Sequence, residues 1–320
     1  MAVYTQLNAS DLNQLLADYE LGKLVSFQGI EGGIENTNYF VTLNKKGKSR
    51  EYVLTLFEEL SYEELPYFIE LCQWLSDRNV PVPFAIKDKN GIGLKKIKGR
   101  PAALQPKFSG GHVGQHSLKA DHCASIGKVL AEFHVAALEF YLKRQAHRGV
   151  FWWRRESQIL AQKLPNEDQT ILNEEVNKFD QLRETPGDLA IGTIHGDLFH
   201  DNALFEGSEV SAVLDLYNAA SGYLLYDLAI VANDWCCNPD GSIDSVREMA
   251  LLKAYAEVRP FTADECTAWP ILCCTAAMRF WLSRLIPWMD KSSTQKLKDP
   301  DELKRILLYR RNTPAELPAM

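Results

Sequence analysis

The sequence predicts a two-lobed α+β fold, with an antiparallel, strand-rich N-lobe over residues 1–108 and a mainly helical C-lobe over residues 109–320. Three observations carry this. Up to Phe108 the hydrophobic pattern gives several strand-like runs and one long helical stretch. Beyond Gly110-Gly111 the apolar spacing turns largely helical. That helical part is interrupted once, by short apolar runs around a polar segment rich in His, Asp and Asn. A chain of 320 residues that is 46% hydrophobic can bury a sizeable core, and its length suits two lobes better than one.

Taken in order, Leu12, Leu15 and Leu16 give an apolar face to a short helix over residues 8–20, with Ser10 as its candidate cap. Strand-like runs follow around Leu24–Ile30, at Tyr39–Leu43 and at Tyr52–Phe57, the last two flanking a turn over residues 44–49. Over residues 61–78, Leu65, Phe68, Ile69, Cys72 and Leu75 share one helical face, and Pro66 suits its first turn. Pro81-Val82-Pro83 ends that helix. Asn90-Gly91 reads as a hairpin turn, and a further run, Pro101–Phe108, leads to Ser109-Gly110-Gly111, where glycine permits a sharp change of direction. The basic residues from Lys87 to Arg100 read as a solvated hairpin, because no aromatic side chains interleave with them. Helices are expected over residues 117–140, 154–184, 224–236, 243–256 and 263–286, with His134 a packing residue in the first. The charged tail after Lys291 carries Pro300, Pro314 and Pro318 and is expected to pack loosely.

A net charge of −7 argues against a nucleic-acid partner. The seven cysteines form no C-x-x-C pair, so free thiols in a reducing compartment are expected. No apolar run approaches a membrane span, and the N-terminus lacks the basic and apolar regions of a signal peptide. The expectation is a cytoplasmic protein with no membrane partner.

The chemistry concentrates in Thr193–Phe205, which places His195, Asp197 and Asn202 at the spacing H-x-D-x-x-x-x-N, and in Val213–Tyr217, where Asp215 ends an apolar run. Phosphoryl transfer depends mostly on positioning and charge neutralisation. Asp197 can accept or orient a substrate hydroxyl. Asn202 and Asp215 are hard oxygen donors suited to holding Mg²⁺ against the phosphates of ATP. His195 is expected to act structurally, bonding the loop or Asp215. A second element, Gly29–Phe40, contains Gly32-Gly33 between strands; it is either an ordinary hairpin or a turn whose amides approach phosphates, with Asn36 and Asn38 as further donors or as turn stabilisers. Asp227 opens an apolar helix and is either an anchor for the catalytic loop or a simple N-terminal helix acid.

These residues resemble the aminoglycoside phosphotransferase and choline kinase superfamily, a branch of the protein-kinase-like fold. His195–Asn202 is similar to its catalytic loop and Leu214-Asp215 to its metal-binding strand end. More narrowly, residues 32–41, 52–58, 226–235 and 279–285 resemble the kinase-like homoserine kinase family. That resemblance implies ATP-dependent phosphorylation of the L-homoserine hydroxyl in threonine biosynthesis, with L-homoserine as the small-molecule substrate. Gln105–Phe108 resembles the segment that contacts adenine through its backbone, which brings in Gln105 and Lys107. The third strand departs from the usual kinase pattern: Thr55 stands where a phosphate-binding Lys is common, and Glu70, its would-be partner, reads as a solvated helix residue. For the substrate's carboxylate the candidates are Arg279 and Arg284, for its ammonium Asp234, and for the pocket walls Trp235 and Trp281. The same chemistry on another alcohol, such as choline, methylthioribose or an aminoglycoside, or a nucleotide-binding pseudokinase, are the alternatives.

Overall fold

The computed structural model describes residues 3–31, 36–290 and 297–318. The chain divides into two compact units, Met1–Ser109 and Gly110–Met320. No described helix is long and apolar enough to cross a membrane. All seven cysteines are free.

The first unit is built on one sheet. Helix α1 (Ala9–Leu16) is followed by strands β1 (Lys23–Gly29), β2 (Asn36–Lys45) and β3 (Lys48–Phe57), helix α2 (Leu65–Ser76), and strands β4 (Leu94–Ile97) and β5 (Arg100–Pro106). The order across the sheet is β1-β2-β3-β5-β4, antiparallel throughout. Alternation along β2 and β3 sends Tyr39, Val41, Leu43, Leu54 and Leu56 to one core, which Leu12, Leu15 and Leu16 of α1 join. Asn8, not Ser10, caps α1, in a capping box with Asp11.

The β4–β5 hairpin turns at Lys98-Gly99, both at positive φ, rather than at Asn90-Gly91. Asn90-Gly91 instead forms a tight loop closed by a bond from the Asp88 amide to the Ile92 carbonyl. Half of the basic stretch is ion-paired within the unit. Lys95 meets Asp18 at 2.7 Å and Asp88 at 2.6 Å, Lys98 meets Asp11, and Arg100 meets Glu58.

The second unit contains α3 (Ala120–Leu138), α4 (Val150–Ala161), α5 (Asn166–Glu184), β6 (Ile191–Ile194), β7 (Ala203–Glu206), β8 (Glu209–Val213), β9 (Ala220–Tyr223), α6 (Leu224–Trp235), α7 (Ser245–Val258), α8 (Ala263–Met289) and α9 (Pro300–Asn312). The single helix expected over 154–184 is two, because Pro165 breaks it. The tail packs rather than trailing: α9 buries Arg310, which meets Glu248 at 2.7 Å and Asn233 at 2.9 Å, and Lys304 meets Asp168. Charge and prolines suggested loose packing for this tail, yet its charged residues have partners on α5, α6 and α7, out of reach of any local pattern.

Two glycines set close approaches. Gly110 has φ +92 and lies against the Phe205 carbonyl, which an added Cβ would meet at 2.3 Å. Gly127 lets α3 pack on α7; a Cβ there would lie 2.4 Å from the Leu251 carbonyl. Alanine ordinarily improves a helix interior by up to about 1 kcal/mol. Gly127→Ala is nonetheless expected to destabilise the protein by about 2 kcal/mol, because the backbone it would strike cannot swing aside. Urea unfolding of the variant checks the sign.

Candidate active site

Short strands build the site in the second unit. β6 delivers the chain to His195, and β9 pairs with β6 antiparallel. The loop after β6 passes through Asp197 and a single 3-10 turn, His200–Asn202, into β7. β7 and β8 form a hairpin, pairing Ala203 with Val213. The ladder is prolonged by a bond from the Leu214 amide to the Asn202 carbonyl, 2.8 Å. Residues distant in sequence, Asn202 and Asp215, thereby become neighbours at the open end of the hairpin. Asp215 takes a left-handed conformation, φ 60 and ψ 54. Asp is among the few non-glycine residues that tolerate this region, and the turn carries its side chain out of the strand direction.

Asp197 is held by its backbone. Its carbonyl accepts a 2.8 Å bond from Asn202 Nδ2, and its amide donates to His195 Nδ1 at 3.2 Å. Because Nδ1 accepts, His195 carries its proton on Nε2, which donates to the Leu214 carbonyl at 2.9 Å. His195 is fully buried and thus bridges the loop to the residue before Asp215. Asp197 is half-buried as a residue, with Asn218 Nδ2 3.5 Å from Oδ2. Loss of hydration pushes its pKa above the usual carboxylate value, against the pull of Arg279 and His195.

Behind the loop lies Asp227, wholly buried at the first turn of α6. Its Oδ2 accepts the His195 amide at 2.7 Å and its Oδ1 the Gly196 amide at 2.8 Å. His134 of α3 donates from Nε2 to Oδ2 at 3.1 Å, and its Nδ1 accepts the Tyr255 hydroxyl of α7 at 2.8 Å. Burial works against charge on Asp227, but these donors outweigh it and its pKa falls below the ordinary value. Burial keeps the His134 imidazole neutral by pushing its pKa down. No sequence signal marked His134 and Tyr255 as loop supports; only the packing of α3, α6 and α7 joins them.

Asn202, with its amide nitrogen committed to Asp197, could offer its carbonyl oxygen to a cation, and the Asp215 carboxylate could be a second hard donor. Among the described residues no cluster of three or more His, Cys, Asp or Glu could hold a metal alone. An ion here would therefore complete its shell with phosphate oxygens and water.

Beside the Asp197 loop is a cavity of about 320 Å³, lined by Gly196, Asn218, Tyr226 and Arg279 among others. Of the residues expected to contact substrate, only Arg279 reaches it. Asp234 does not face the cavity: its Oδ2 accepts both the His200 amide and Nδ1, at 2.7 and 2.8 Å. Burial opposes charge on His200, but Asp234 and Asp201 raise its pKa, making a loop brace of the pair. Trp235 is buried and donates to the Leu198 carbonyl, and Trp281 is buried in α8 away from the cavity. Arg284 is tied to Asp299 and Glu302. Sequence reasoning missed Arg148 and Asn218, both of which line the cavity.

In the first unit, Gly32 and Gly33 lie outside the described residues. Asn36 and Asn38 are on β2, opposite Phe57 and Thr55. The Thr55 hydroxyl lies 2.7 Å from Asn38 Oδ1 and 3.2 Å from Gln105 Oε1, so a polar trio, with Thr55 and Gln105 buried, occupies the position where a Lys was looked for. Lys107 pairs with Glu51 at 2.8 Å and lies over the Phe40 ring. Glu70 is exposed.

Comparison with known proteins gives the family. The chain belongs to the phosphotransferase enzyme family, whose model matches residues 26–261. It is 41% identical over 319 residues to the homoserine kinase of Pseudomonas aeruginosa (strain LESB58), covering 99% of each chain. It is also 41% identical over 311 residues to that of Methylobacillus flagellatus, covering 97% of this chain and 95% of the relative. In fold it is similar to the amicoumacin kinase hAmiN (TM-score 0.69, 16% identity, 96% and 93% coverage). It is similar too to a choline kinase of Cryptosporidium parvum (TM-score 0.65, 12% identity, 95% of each chain). The fold is thus the protein-kinase-like fold of small-molecule phosphotransferases.

Asp227→Asn should remove about 3 kcal/mol of stability at pH 7, since it leaves buried amides facing a poorer acceptor. A depressed pKa in the folded state contributes stability above the unfolded value of about 3.9, lost as pH falls through the folded value. Denaturant unfolding across pH should therefore show the gap to wild type narrowing below about pH 4.

Proposed function

We propose that the chain is a homoserine kinase, transferring the γ-phosphoryl group of ATP to the side-chain hydroxyl of L-homoserine to give O-phospho-L-homoserine in threonine biosynthesis. The observation that carries this is 41% identity to a homoserine kinase across 99% of both chains. The arrangement around Asp197 supplies a compatible chemistry.

Asp197 is the catalytic carboxylate. It orients the hydroxyl and accepts its proton as the oxygen attacks phosphorus, while ADP leaves on the opposite side. Its raised pKa makes it a better proton acceptor than an ordinary surface Asp. His195 and Asp227 hold the loop, so that Asp197 needs no rearrangement on binding substrate. Asn202 and Asp215 would hold Mg²⁺, which would supply charge neutralisation at the phosphates. Asn36, Asn38 and the Gln105–Lys107 segment serve the nucleotide, as would Gly32 and Gly33. With Thr55 in the place of a Lys, the cationic clamp falls to the metal and to backbone amides.

Turnover is read by coupled ADP release across L-homoserine, choline, ethanolamine, methylthioribose and an aminoglycoside. Efficient turnover of another alcohol with none of homoserine would sink the assignment. Asp197→Asn should lower kcat by about 10³ with an unchanged melting temperature. The Asp197 carboxylate must be ionised to act, and its pKa is raised. The acid limb of kcat/KM in the wild type should thus lie above the pH of about 3.9 set by an unperturbed Asp.

A further inference from the structure

The cavity beside Asp197 has an unusual charge. Its walls include Arg144, His147, Arg148, Arg183 and Arg279, and no Asp or Glu. At about 320 Å³ it lies near the small end of ligand pockets, which run from roughly 300 to 1,000 Å³. Arg279 is 5% exposed, and among the described residues no carboxylate is within ion-pair distance of it; its guanidinium lies over the Phe280 ring. Burial drives its pKa down, and the neighbouring Arg148 adds to this, while Tyr226 and Asp197 oppose it. A buried cation beside a second cation, in a cavity without acids, is an arrangement completed by an anion. A cationic alcohol without a carboxylate would meet four arginines with no negative group of its own to offset them.

We propose that this cavity is a carboxylate-selective alcohol subsite, in which the substrate's carboxylate seats on Arg279 and Arg148 while its hydroxyl lies against Asp197. The inference rests on the homoserine reading and deepens it by naming what the pocket selects. The planar guanidinium of Arg279 suits a bidentate contact with a carboxylate, and Arg148, which is exposed, supplies the second charge without a burial cost. Neither Arg148 nor the acid-free lining was marked by any sequence motif.

The test compares L-homoserine with 3-amino-1-propanol, the same alcohol without its carboxylate, in wild type, Arg279→Met, Arg279→Lys and Arg148→Ala. Coupled ADP release gives kcat and KM, and titration calorimetry with Mg²⁺ and a non-hydrolysable ATP analogue gives binding. Wild type should prefer homoserine by about a hundredfold or more in kcat/KM. Arg279→Met should collapse that ratio by raising KM for homoserine, Arg279→Lys should restore part of it, and Arg148→Ala should weaken homoserine about tenfold. Equal losses on both alcohols, or a rise confined to the KM for ATP, would overturn the subsite. Arg148→Ala keeps the test open should the buried variants fail to fold. If the wild type turned over no homoserine, the functional reading would fall. The subsite would then be decided by whether the carboxylate-bearing compound binds more tightly and loses that advantage in Arg279→Met.

Discussion

One buried carboxylate organises the second unit. Asp227 accepts hydrogen bonds from the amides of His195 and Gly196 and from His134 Nε2, at distances between 2.7 and 3.1 Å. A charge in that position is expensive unless fully bonded, so the three donors must stay where they are. The donors come from the loop after β6 and from α3, and the acceptor from α6. Tyr255 of α7 holds the far side of His134. The conformation of the Asp197 loop is therefore a consequence of helix packing, transmitted through one side chain.

Next in the chain of dependence is the β7–β8 hairpin. It converts the separation between Asn202 and Asp215 into adjacency, and the Leu214 amide closes it on the Asn202 carbonyl. His195 bonds the Leu214 carbonyl from the other side, so Leu214 is gripped through both of its backbone polar groups. Asp215 follows in a left-handed conformation that a β-branched residue would resist. Two hard oxygen donors are thus presented by backbone geometry before any ligand arrives, which lowers the entropic cost of binding one.

Electrostatics separates the two sides of the loop. The metal-suited donors Asn202 and Asp215 are an amide and an acid, while the cavity contacting Gly196 and Asn218 is lined by arginines. Asp197 lies between these influences, its hydration reduced and its charge felt by Arg279. In the first unit the polar trio of Asn38, Thr55 and Gln105, joined through the Thr55 hydroxyl, is neutral, so it does not supply the positive charge that a strand Lys would.

Much of this was legible in the sequence. Periodicity of two in Tyr39–Leu43 and Tyr52–Phe57, and of 3.6 in the helices, followed from side-chain direction along each element and needed no tertiary information. The spacing of His195, Asp197, Asn202 and Asp215 was legible because loop, 3-10 turn and hairpin are local structures. The hairpin position at Lys98-Gly99 was not, since Asn90-Gly91 is the stronger local turn signal and pairing with β5 decided otherwise. Nor could the sequence assign Asp234, Trp235, Trp281 and Arg284. Each has a polar or apolar partner from another element, and a motif does not say which way a side chain faces. His134 looked like a packing residue and is one, yet its bond to Asp227 makes it part of the loop's foundation. The sequence by itself determined the class of chemistry, because that chemistry is written in residues close along the chain. Only the tertiary structure decided which charges meet in the cavity, because Arg148 and Arg279 come together solely through the packing of the helical unit.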